Sequence, residues 1–269
     1  MIRLGTSGFS YDDWVAAFYP PDLPRRDWLS FYAREFDTVE LNVTYYRVPG
    51  LRTVQGWSDR TPPGFSFSVK AHGSLTHERT EPDHKGFVEA LRPLREDGKL
   101  ACILAQFPHS FRPSPGAWEY VAALRDGLAG CPVVVEFRHK SWVSEETFTR
   151  LKDLGLGYCC VDEPKLSGLM PPTIRATGPV GYVRFHGRNA AKWWNHEAAW
   201  ERYDYTYPEN ELGEWIPGLG ELAAATDVVL VYANNHYRGQ SVEALRTLRK
   251  LLAETWGPSH ASVGAGPPS

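Results

Sequence analysis

Short apolar runs rich in β-branched and aromatic residues recur along the chain, and each is followed by a segment of different periodicity. Within the runs, apolar and polar side chains often alternate, as expected when successive residues of a strand point to opposite faces. The pattern predicts eight β-strands. They are Ile2–Thr6, Thr38–Val43, Phe65–Ala71, Leu100–Phe107, Val133–Phe137, Gly157–Asp162, Gly181–Phe185 and Asp227–Ala233.

The segments between these runs carry apolar residues at helical spacing. The predicted helices are Trp28–Phe36, Lys85–Asp97, Ala117–Leu128, Glu145–Leu154, Glu209–Ala225 and Ser241–Glu254. The connections after the second and sixth strands show no clear helical pattern. Regular alternation of strand and helix through 269 residues predicts an α/β protein with a single (β/α)8 TIM barrel.

The domain organisation follows from the composition of the ends and of the connections. No linker interrupts the periodic segments, so we expect one TIM-barrel domain over residues 1–256. Residues 257–269 are rich in Gly, Pro, Ser and Ala and predict a flexible C-terminal tail. Cysteines at 102, 131, 159 and 160 lie in or beside apolar runs without metal-site spacing, which favours reduced core residues.

The charge balance limits the classes of molecule that the protein is expected to bind. The chain has 29 Lys and Arg against 32 Asp and Glu, a net charge of −3, which argues against bulk electrostatic capture of nucleic acid or of an anionic membrane. There is no apolar run of transmembrane length and no signal-peptide-like leader before Ile2. We therefore expect a soluble cytoplasmic protein with no membrane association.

Polar residues gather at the C-terminal ends of the predicted strands, the face on which TIM barrels carry their active sites. Buried charges are costly unless they are paired, so these groups should face one another or a ligand. The alternative to a ligand site is an internal salt-bridge lattice, with Glu40 paired to Lys70 and Glu136 paired to Arg184. The residues are Thr6, Ser7, Glu40, Asn42, Lys70, His72, Gln106, Glu136, Arg138, Asp162, Arg184, His186, Arg188, Asn234, Asn235 and His236.

One connection is unusually long and aromatic. The segment Arg188–Tyr207 follows the seventh predicted strand and contains three Trp and three Tyr residues. It predicts either a lid whose rings stack on a sugar or a base, or a loop that folds back and buries its own rings.

Several short motifs stand along the chain in a characteristic order and spacing. The motifs are Gly5–Gly8, Val39–Thr44, Ser68–Lys70, Leu75–His77, Gln106–Pro108, Val135–His139, Tyr182–Arg188, Arg202–Tyr205 and Asn234–His236. Together they resemble the YecE-like proteins that share the DUF72 domain. The resemblance covers nearly the whole chain, and the chain departs from the family pattern at His72, His109 and Lys140.

The resemblance implies a β/α barrel and little about activity, since these proteins are only loosely likened to sugar isomerases. No catalytic residue is transferred by it. The positions that match family motifs are Glu40, Asn42, Lys70, His77, Gln106, Glu136, Arg138, Arg184, His186, Arg188, Asn234, Asn235 and His236.

The first functional hypothesis is an isomerase, lyase or hydrolase that acts on a small anionic or sugar-like substrate. A Glu would serve as general base and a His would return the proton, and Lys70 would bind anions or form a Schiff base. The candidate catalytic residues are Glu40, Lys70, Glu136, His186 and His236. The candidate substrate-binding residues are Asn42, Gln106, Arg138, Arg184, Arg188, Asn234 and Asn235.

Three alternatives remain open at this point. A divalent metal, manganese, magnesium or zinc, would be held by Glu40, Glu136, Asp162, His186 and His236. A nucleic-acid-processing or nucleic-acid-binding protein would place Arg184 and Arg188 on phosphates and stack a base on the aromatic loop. A noncatalytic barrel would bind a metabolite or a protein partner.

Overall fold

Eight parallel strands form the central sheet of the computed structural model, which describes residues 1–80 and 82–257. Their order, β1-β8-β7-β6-β5-β4-β3-β2, places strands that follow one another in the chain side by side, and it confirms the predicted (β/α)8 barrel. The strands are β1 (Ile2–Thr6), β2 (Thr38–Leu41), β3 (Ser66–Lys70), β4 (Leu100–Gln106), β5 (Val133–Glu136), β6 (Gly157–Asp162), β7 (Val180–Phe185) and β8 (Val228–Ala233).

The barrel closes between β1 and β2, where a single bridge joins Ser7 to Glu40. The Gly8 amide also donates to the carbonyl of Glu40 at 2.8 Å. This contact requires a glycine at position 5, because a Cβ there would lie 2.0 Å from the carbonyl oxygen of Thr38. The backbone of β1 therefore approaches β2 closely enough to bring the end of β2 into the barrel mouth.

The helices surround the strands, with two departures from the predicted pattern. Each of the segments Lys85–Asp97 and Glu209–Ala225 forms two helices, and a Pro stands in the first turn of the second helix in both cases. The helices are α1 (Trp28–Tyr32), α2 (Val43–Tyr46), α3 (Leu51–Asp59), α4 (His84–Ala90), α5 (Arg92–Glu96), α6 (Pro115–Gly127), α7 (Glu145–Asp153), α8 (Glu209–Gly213), α9 (Ile216–Ala225) and α10 (Gln240–Trp256).

The two connections without a clear helical pattern differ from each other. The connection after β2 contains α2 and α3, whereas residues 163–179, all of them described, contain no helix between β6 and β7. The barrel thus lacks its sixth outer helix.

Hydroxyl groups form one layer of the barrel interior, below the C-terminal ends of the strands. Tyr232 Oη lies 2.5 Å from Thr38 Oγ1 and 2.9 Å from Ser68 Oγ, so β8, β2 and β3 are joined across the interior. Strand periodicity places the next inward residue of each strand one layer closer to the C-terminal face. The layer above the hydroxyl groups therefore contains Glu40, Lys70 and Asn234, and on β7 it contains Arg184, two residues after the inward-facing Tyr182.

Other sequence expectations concern the cysteines, the membrane and the tail. All four cysteines are free thiols; Cys131 is half-buried, and Cys102, Cys159 and Cys160 are buried. Within the described ranges no helix is both long enough and apolar enough to cross a membrane. The predicted flexible tail, apart from Gly257, lies outside the described residues.

Candidate functional site

A cavity of about 690 Å³ opens at the C-terminal ends of the strands. It combines strand-end residues with residues of the loop after β7, and none of its described lining residues is an Asp or a Glu. The lining residues are Tyr11, Asn42, Tyr46, Lys70, His77, Gln106, Pro108, His109, Arg138, Leu169, Arg184, His186, Trp193, Trp194, Trp200, Arg202, Tyr203, Asn234 and His236.

Arg184, which is buried at the end of β7, forms part of the cavity floor. Its Nη2 lies 2.7 Å from Glu40 Oε1, and its Nη1 lies 2.5 Å from Glu136 Oε2. The second oxygen of Glu40 accepts a hydrogen bond of 2.6 Å from Tyr182 Oη. Both carboxylates are fully buried behind the guanidinium group, so Arg184 separates them from the cavity.

A second arginine extends this network toward β6. Arg138 Nη1 donates to Glu136 Oε1 at 2.7 Å, and its Nη2 lies 3.2 Å from Glu163 Oε2. The other oxygen of Glu163 accepts from the Met170 amide at 2.8 Å. Three buried carboxylates are therefore matched to two arginines whose side chains line the cavity.

His186 is enclosed by the same network. Its Nε2 lies 3.1 Å from Glu136 Oε1 and 2.9 Å from Arg138 Nη1, and its Nδ1 lies 3.0 Å from Asn234 Nδ2. Burial, followed by the charge of Arg138, lowers the pKa of His186 to about 3. The ring is therefore neutral at physiological pH, and both of its nitrogens lie against protein groups.

The two glutamates predicted as general bases are held as ion pairs. Burial alone would raise the pKa of Glu136, but Arg184, His186 and Arg138 outweigh it and keep this pKa well below the usual value. A fully buried carboxylate of low pKa behind two guanidinium groups is a weak base with no access to a ligand. The geometry thus gives Glu40 and Glu136 the task of positioning arginines.

Lys70, at the end of β3, differs from Arg138 and Arg184 in its lack of a carboxylate partner within the described chain. No carboxylate of the described chain lies within ion-pair distance of its Nζ, which sits 4.6 Å from the centre of the Tyr45 ring. Glu40 pairs with Arg184 and not with Lys70, unlike in the predicted salt-bridge lattice. Burial and then Arg184 lower the pKa of Lys70 to about 8, against the opposing effect of Glu136 and Glu40.

The remaining predicted residues that line the cavity are Asn42, Gln106, Asn234 and His236. Asn42 Oδ1 is buried and has no hydrogen-bond partner among the described residues. The His236 ring stacks on Tyr11 with 4.4 Å between ring centres, and its Nδ1 also lacks a partner within the described chain. Such unsatisfied polar atoms beside a cavity are free to bind a ligand or water.

Two predicted binding residues lie outside the cavity lining. Arg188 makes a two-point ion pair with Asp162, with Nε 2.9 Å from Oδ1 and Nη2 2.7 Å from Oδ2. Asp162 also accepts from Tyr207 Oη at 2.7 Å and from Trp215 Nε1 at 2.8 Å. Asn235 donates to the Tyr205 carbonyl at 2.8 Å. These ion pairs and hydrogen bonds anchor the base of the loop after β7.

The segment Arg188–Tyr207 combines features of both predicted forms. Trp193 is fully buried, with guanidinium carbons at 5.6 Å for Arg138 and 5.4 Å for Arg202. Trp194 and Trp200 are 54% and 40% exposed at the cavity mouth. The loop thus folds back on one tryptophan and presents the other two to the opening.

The residues proposed as metal ligands do not form a ligand set. Glu40 and Glu136 point to Arg184, Asp162 points to Arg188, and His236 stacks on Tyr11. No group of three or more His, Cys, Asp or Glu residues is placed to hold a metal ion in residues 1–80 and 82–257. Carboxylates already neutralised by guanidinium groups are poor cation ligands, so these residues do not fit a divalent metal.

Sequence reasoning missed Glu163, Tyr182 and Arg202. The alternation of side chains between the two faces of a strand could have identified the first two. Glu163 lies on the same inward face as Cys159, and Tyr182 lies on the same inward face as Arg184. Asp162, which was selected as a polar residue at the end of its strand, points to Trp215 instead. Nothing local predicted that Arg202 enters the cavity, because its position depends on the path of a twenty-residue loop.

Comparisons with known proteins agree with this architecture. The family model described as "Protein of unknown function DUF72" matches residues 3–264. The UPF0759 protein YunF of Bacillus subtilis is 32% identical over 270 residues, covering 94% of this chain and 95% of YunF.

Two crystal structures of DUF72 proteins show the same fold. One from Thermotoga maritima has a TM-score of 0.86 and 40% identity, and the match covers 94% of this chain and 99% of that one. One from Enterococcus faecalis has a TM-score of 0.83 and 27% identity, covering 94% and 95%. The sequence motifs, the barrel and these relatives agree, and the chain belongs to the DUF72 family, whose function is unknown.

Proposed function

We propose that this protein is an enzyme that acts on a small anionic substrate bound at the C-terminal ends of the barrel strands. The observation that carries the proposal is the charge of the cavity lining. Four cationic side chains, those of Lys70, Arg138, Arg184 and Arg202, line it, and no described lining residue is acidic.

The internal ion pairs account for only part of this charge. Arg138 and Arg184 are matched by buried carboxylates, but Lys70 and Arg202 have no carboxylate within ion-pair distance among the described residues. Four cations against three buried carboxylates leave an excess of positive charge at the cavity, which favours a ligand with a phosphate or carboxylate group. A salt-bridge lattice alone would leave no such excess.

The size and walls of the cavity favour a small organic molecule. Its volume of about 690 Å³ falls within the usual range for ligand sites. Trp194, Trp200 and Tyr203 at the mouth offer ring faces to a sugar or another flat apolar group. A phosphorylated or carboxylated sugar-sized substrate matches both the cationic floor and the aromatic rim.

Groups for proton transfer also line the cavity. Burial, Lys70 and Arg79 lower the pKa of His77 to about 4, so its ring is a neutral acceptor at pH 7. Lys70, with its lowered pKa, supplies a second group that can exchange a proton near neutral pH. Arg184 would stabilise negative charge that develops on a substrate oxygen. This combination supports isomerase or lyase chemistry beside a carbonyl group.

Isothermal titration calorimetry with ribose 5-phosphate, glucuronate, ribose and glucose tests the proposal. We expect the two anions to bind and the neutral sugars not to bind, and Arg202→Gln to weaken anion binding about tenfold, a loss of about 1.4 kcal/mol. Arg92→Gln, which removes an exposed cation on α5, is the matched control. Equal binding of neutral sugars, or unchanged affinity in Arg202→Gln, would overturn the proposed anion site.

Catalysis needs a separate measurement. Proton NMR of a bound anion in D2O should show deuterium exchange or product formation that disappears in Lys70→Met. Tight anion binding without exchange or conversion for any binding anion would instead indicate a noncatalytic ligand-binding barrel.

The exposed rings of Trp194 and Trp200 beside Arg202 favour a second candidate, binding of single-stranded nucleic acid. A short oligonucleotide should then bind with an affinity that falls steeply as salt rises. Absence of binding at low salt would remove this candidate and leave the small-anion site unaffected.

A further inference from the structure

We propose that Lys70 is a nucleophilic amine that forms an imine with the carbonyl carbon of a small anionic aldehyde or ketone. The inference rests on the proposed function, because the cations of the cavity must first hold the anionic group. It adds the substrate class and the covalent step.

The surroundings of Lys70 are those of a reactive amine more than of a structural cation. Its side chain is half-buried at the end of β3 and lines the cavity. Lysines of the interior usually pair with a carboxylate, yet both nearby candidates, Glu40 and Glu136, bind Arg184. The ammonium group is left with the face of the Tyr45 ring at 4.6 Å and the opening of the cavity.

The charge state of Lys70 agrees with this geometry. Burial and the neighbouring Arg184 lower its pKa to about 8, so about one amine in ten is neutral at pH 7. For a lysine of unperturbed pKa the neutral fraction would be below about one in a thousand. A desolvated lysine beside another cation is a recognised arrangement for a nucleophilic amine.

A proton acceptor lies next to the amine. The His77 ring packs edge-on against Tyr45 with 5.0 Å between ring centres, so Lys70 and His77 contact the same aromatic ring. The Nδ1 of His77 is 3.0 Å from Thr76 Oγ1, and the side chain lines the cavity. With its pKa lowered to about 4, His77 is neutral and can relay a proton between the nitrogen and the oxygen of the adduct.

The step balances with groups already present. The lone pair of the neutral Lys70 amine attacks the carbonyl carbon, and the π electrons of the C=O bond move to oxygen. Attack leaves a positive nitrogen and a negative oxygen, and one nitrogen proton passes by way of His77 to the oxygen to give the hydroxyl group of the carbinolamine. The second nitrogen proton follows the same route, so the hydroxyl group leaves as water and a C=N bond to Lys70 remains. Arg184 and Arg202 hold the carboxylate or phosphate of the substrate during these transfers.

Reductive trapping tests the covalent step. The protein is incubated with pyruvate, glyoxylate or glyceraldehyde 3-phosphate in the presence of sodium cyanoborohydride, whose hydride reduces an imine to a stable secondary amine. Peptide mass spectrometry then locates the adduct. We expect one adduct per chain on Lys70 with at least one of these probes, formed at least tenfold faster than on the exposed Lys250 of α10.

Variants separate the nucleophile from the charge. Lys70→Arg has no amine of comparable nucleophilicity, so it should lose the adduct while the cavity keeps its positive charge. Lys250→Arg is the matched control and should leave the Lys70 adduct unchanged. The rate of formation of the Lys70 adduct should rise up to about pH 8 and level off above it, because the neutral fraction of Lys70 increases until the pH passes its lowered pKa.

The outcomes distinguish the two proposals. If inorganic phosphate binds but Lys70 reacts no faster than Lys250 with all three probes, the imine proposal is wrong and the anion site stands. If neither phosphate binding nor a Lys70 adduct is found, both proposals are wrong. If Lys70→Arg and the parent protein form the same total amount of adduct per chain, the labelling is unselective and the imine proposal is also wrong.

Discussion

Arg184 Nη2 lies 2.7 Å from Glu40 Oε1, an ion pair that connects β7 with β2 across the barrel interior. The two strands are not hydrogen-bonded neighbours. The pair directs the carboxylate into the protein and the guanidinium group toward the cavity. This orientation is what makes the mouth of an overall acidic protein locally cationic.

Removal of Arg184 should therefore destabilise the fold strongly. Arg184→Met leaves Glu40 and Glu136 without their shared guanidinium group, and an unpaired buried charge costs about 3–5 kcal/mol. We expect a loss of this size in the free energy of unfolding, measured by urea denaturation. Arg92→Met removes an exposed arginine that pairs with Glu89 and should change stability by less than about 1 kcal/mol. Similar losses in both variants would contradict the role assigned to the buried network.

Asp162 should control the order of the loop after β7. Asp162→Asn weakens the ion pair to Arg188 and disturbs the hydrogen bonds from Tyr207 and Trp215, at a cost of about 3 kcal/mol. Hydrogen–deuterium exchange of residues 188–207 should become faster. The matched variant Asp126→Asn breaks an exposed pair with Arg125 and should leave this exchange unchanged. Unaltered exchange in Asp162→Asn would show that the loop is held by other contacts.

Protonation of His186 should contribute to acid destabilisation. Because folding lowers its pKa from 6.5 to about 3, the unfolded chain binds a proton that the folded chain excludes between these values. The contribution is fully present above pH 6.5 and is lost as pH falls toward 3, at about 1.4 kcal/mol per pH unit.

The measurement compares the free energy of unfolding at pH 6 and pH 5, where His186 contributes and Glu136 is still ionised in both states for the most part. His186→Gln should reduce the difference between these two values by about 1.4 kcal/mol. An identical difference in the variant and the parent protein would mean that His186 is not held neutral.

Closure of the barrel should depend on the absence of a Cβ atom at Gly5. In Gly5→Ala the new Cβ would lie 2.0 Å from the Thr38 carbonyl oxygen, so β1 and β2 must separate. We expect a loss of more than about 4 kcal/mol in the free energy of unfolding, or no folded protein by circular dichroism. Gly116→Ala in α6 meets open space and should stabilise the protein by about 0.5–1 kcal/mol. A tolerated Gly5→Ala would show that β1 and β2 can move apart.

Local pattern was enough to locate the strands and their inward faces. The eight predicted strands are all present, with bounds that differ by at most two residues, because period two and short length are properties of the segments themselves. The same alternation brings Glu40, Lys70, Glu136, Arg184 and His186 to one end of one barrel. Helix boundaries were less well determined, since prolines at 93 and 217 divide segments whose apolar pattern continues through them.

Only the tertiary structure decided which charged groups pair. Arg184 takes both glutamates and leaves Lys70 without a carboxylate, whereas Asp162 and Arg188 turn outward to Tyr207 and Trp215. These choices depend on distances across the barrel, on the stagger of its strands and on the path of the loop. Several pairings of the same charges have similar Coulomb energies, so the sequence determined most of the residues at the mouth, and packing selected the partner of each one.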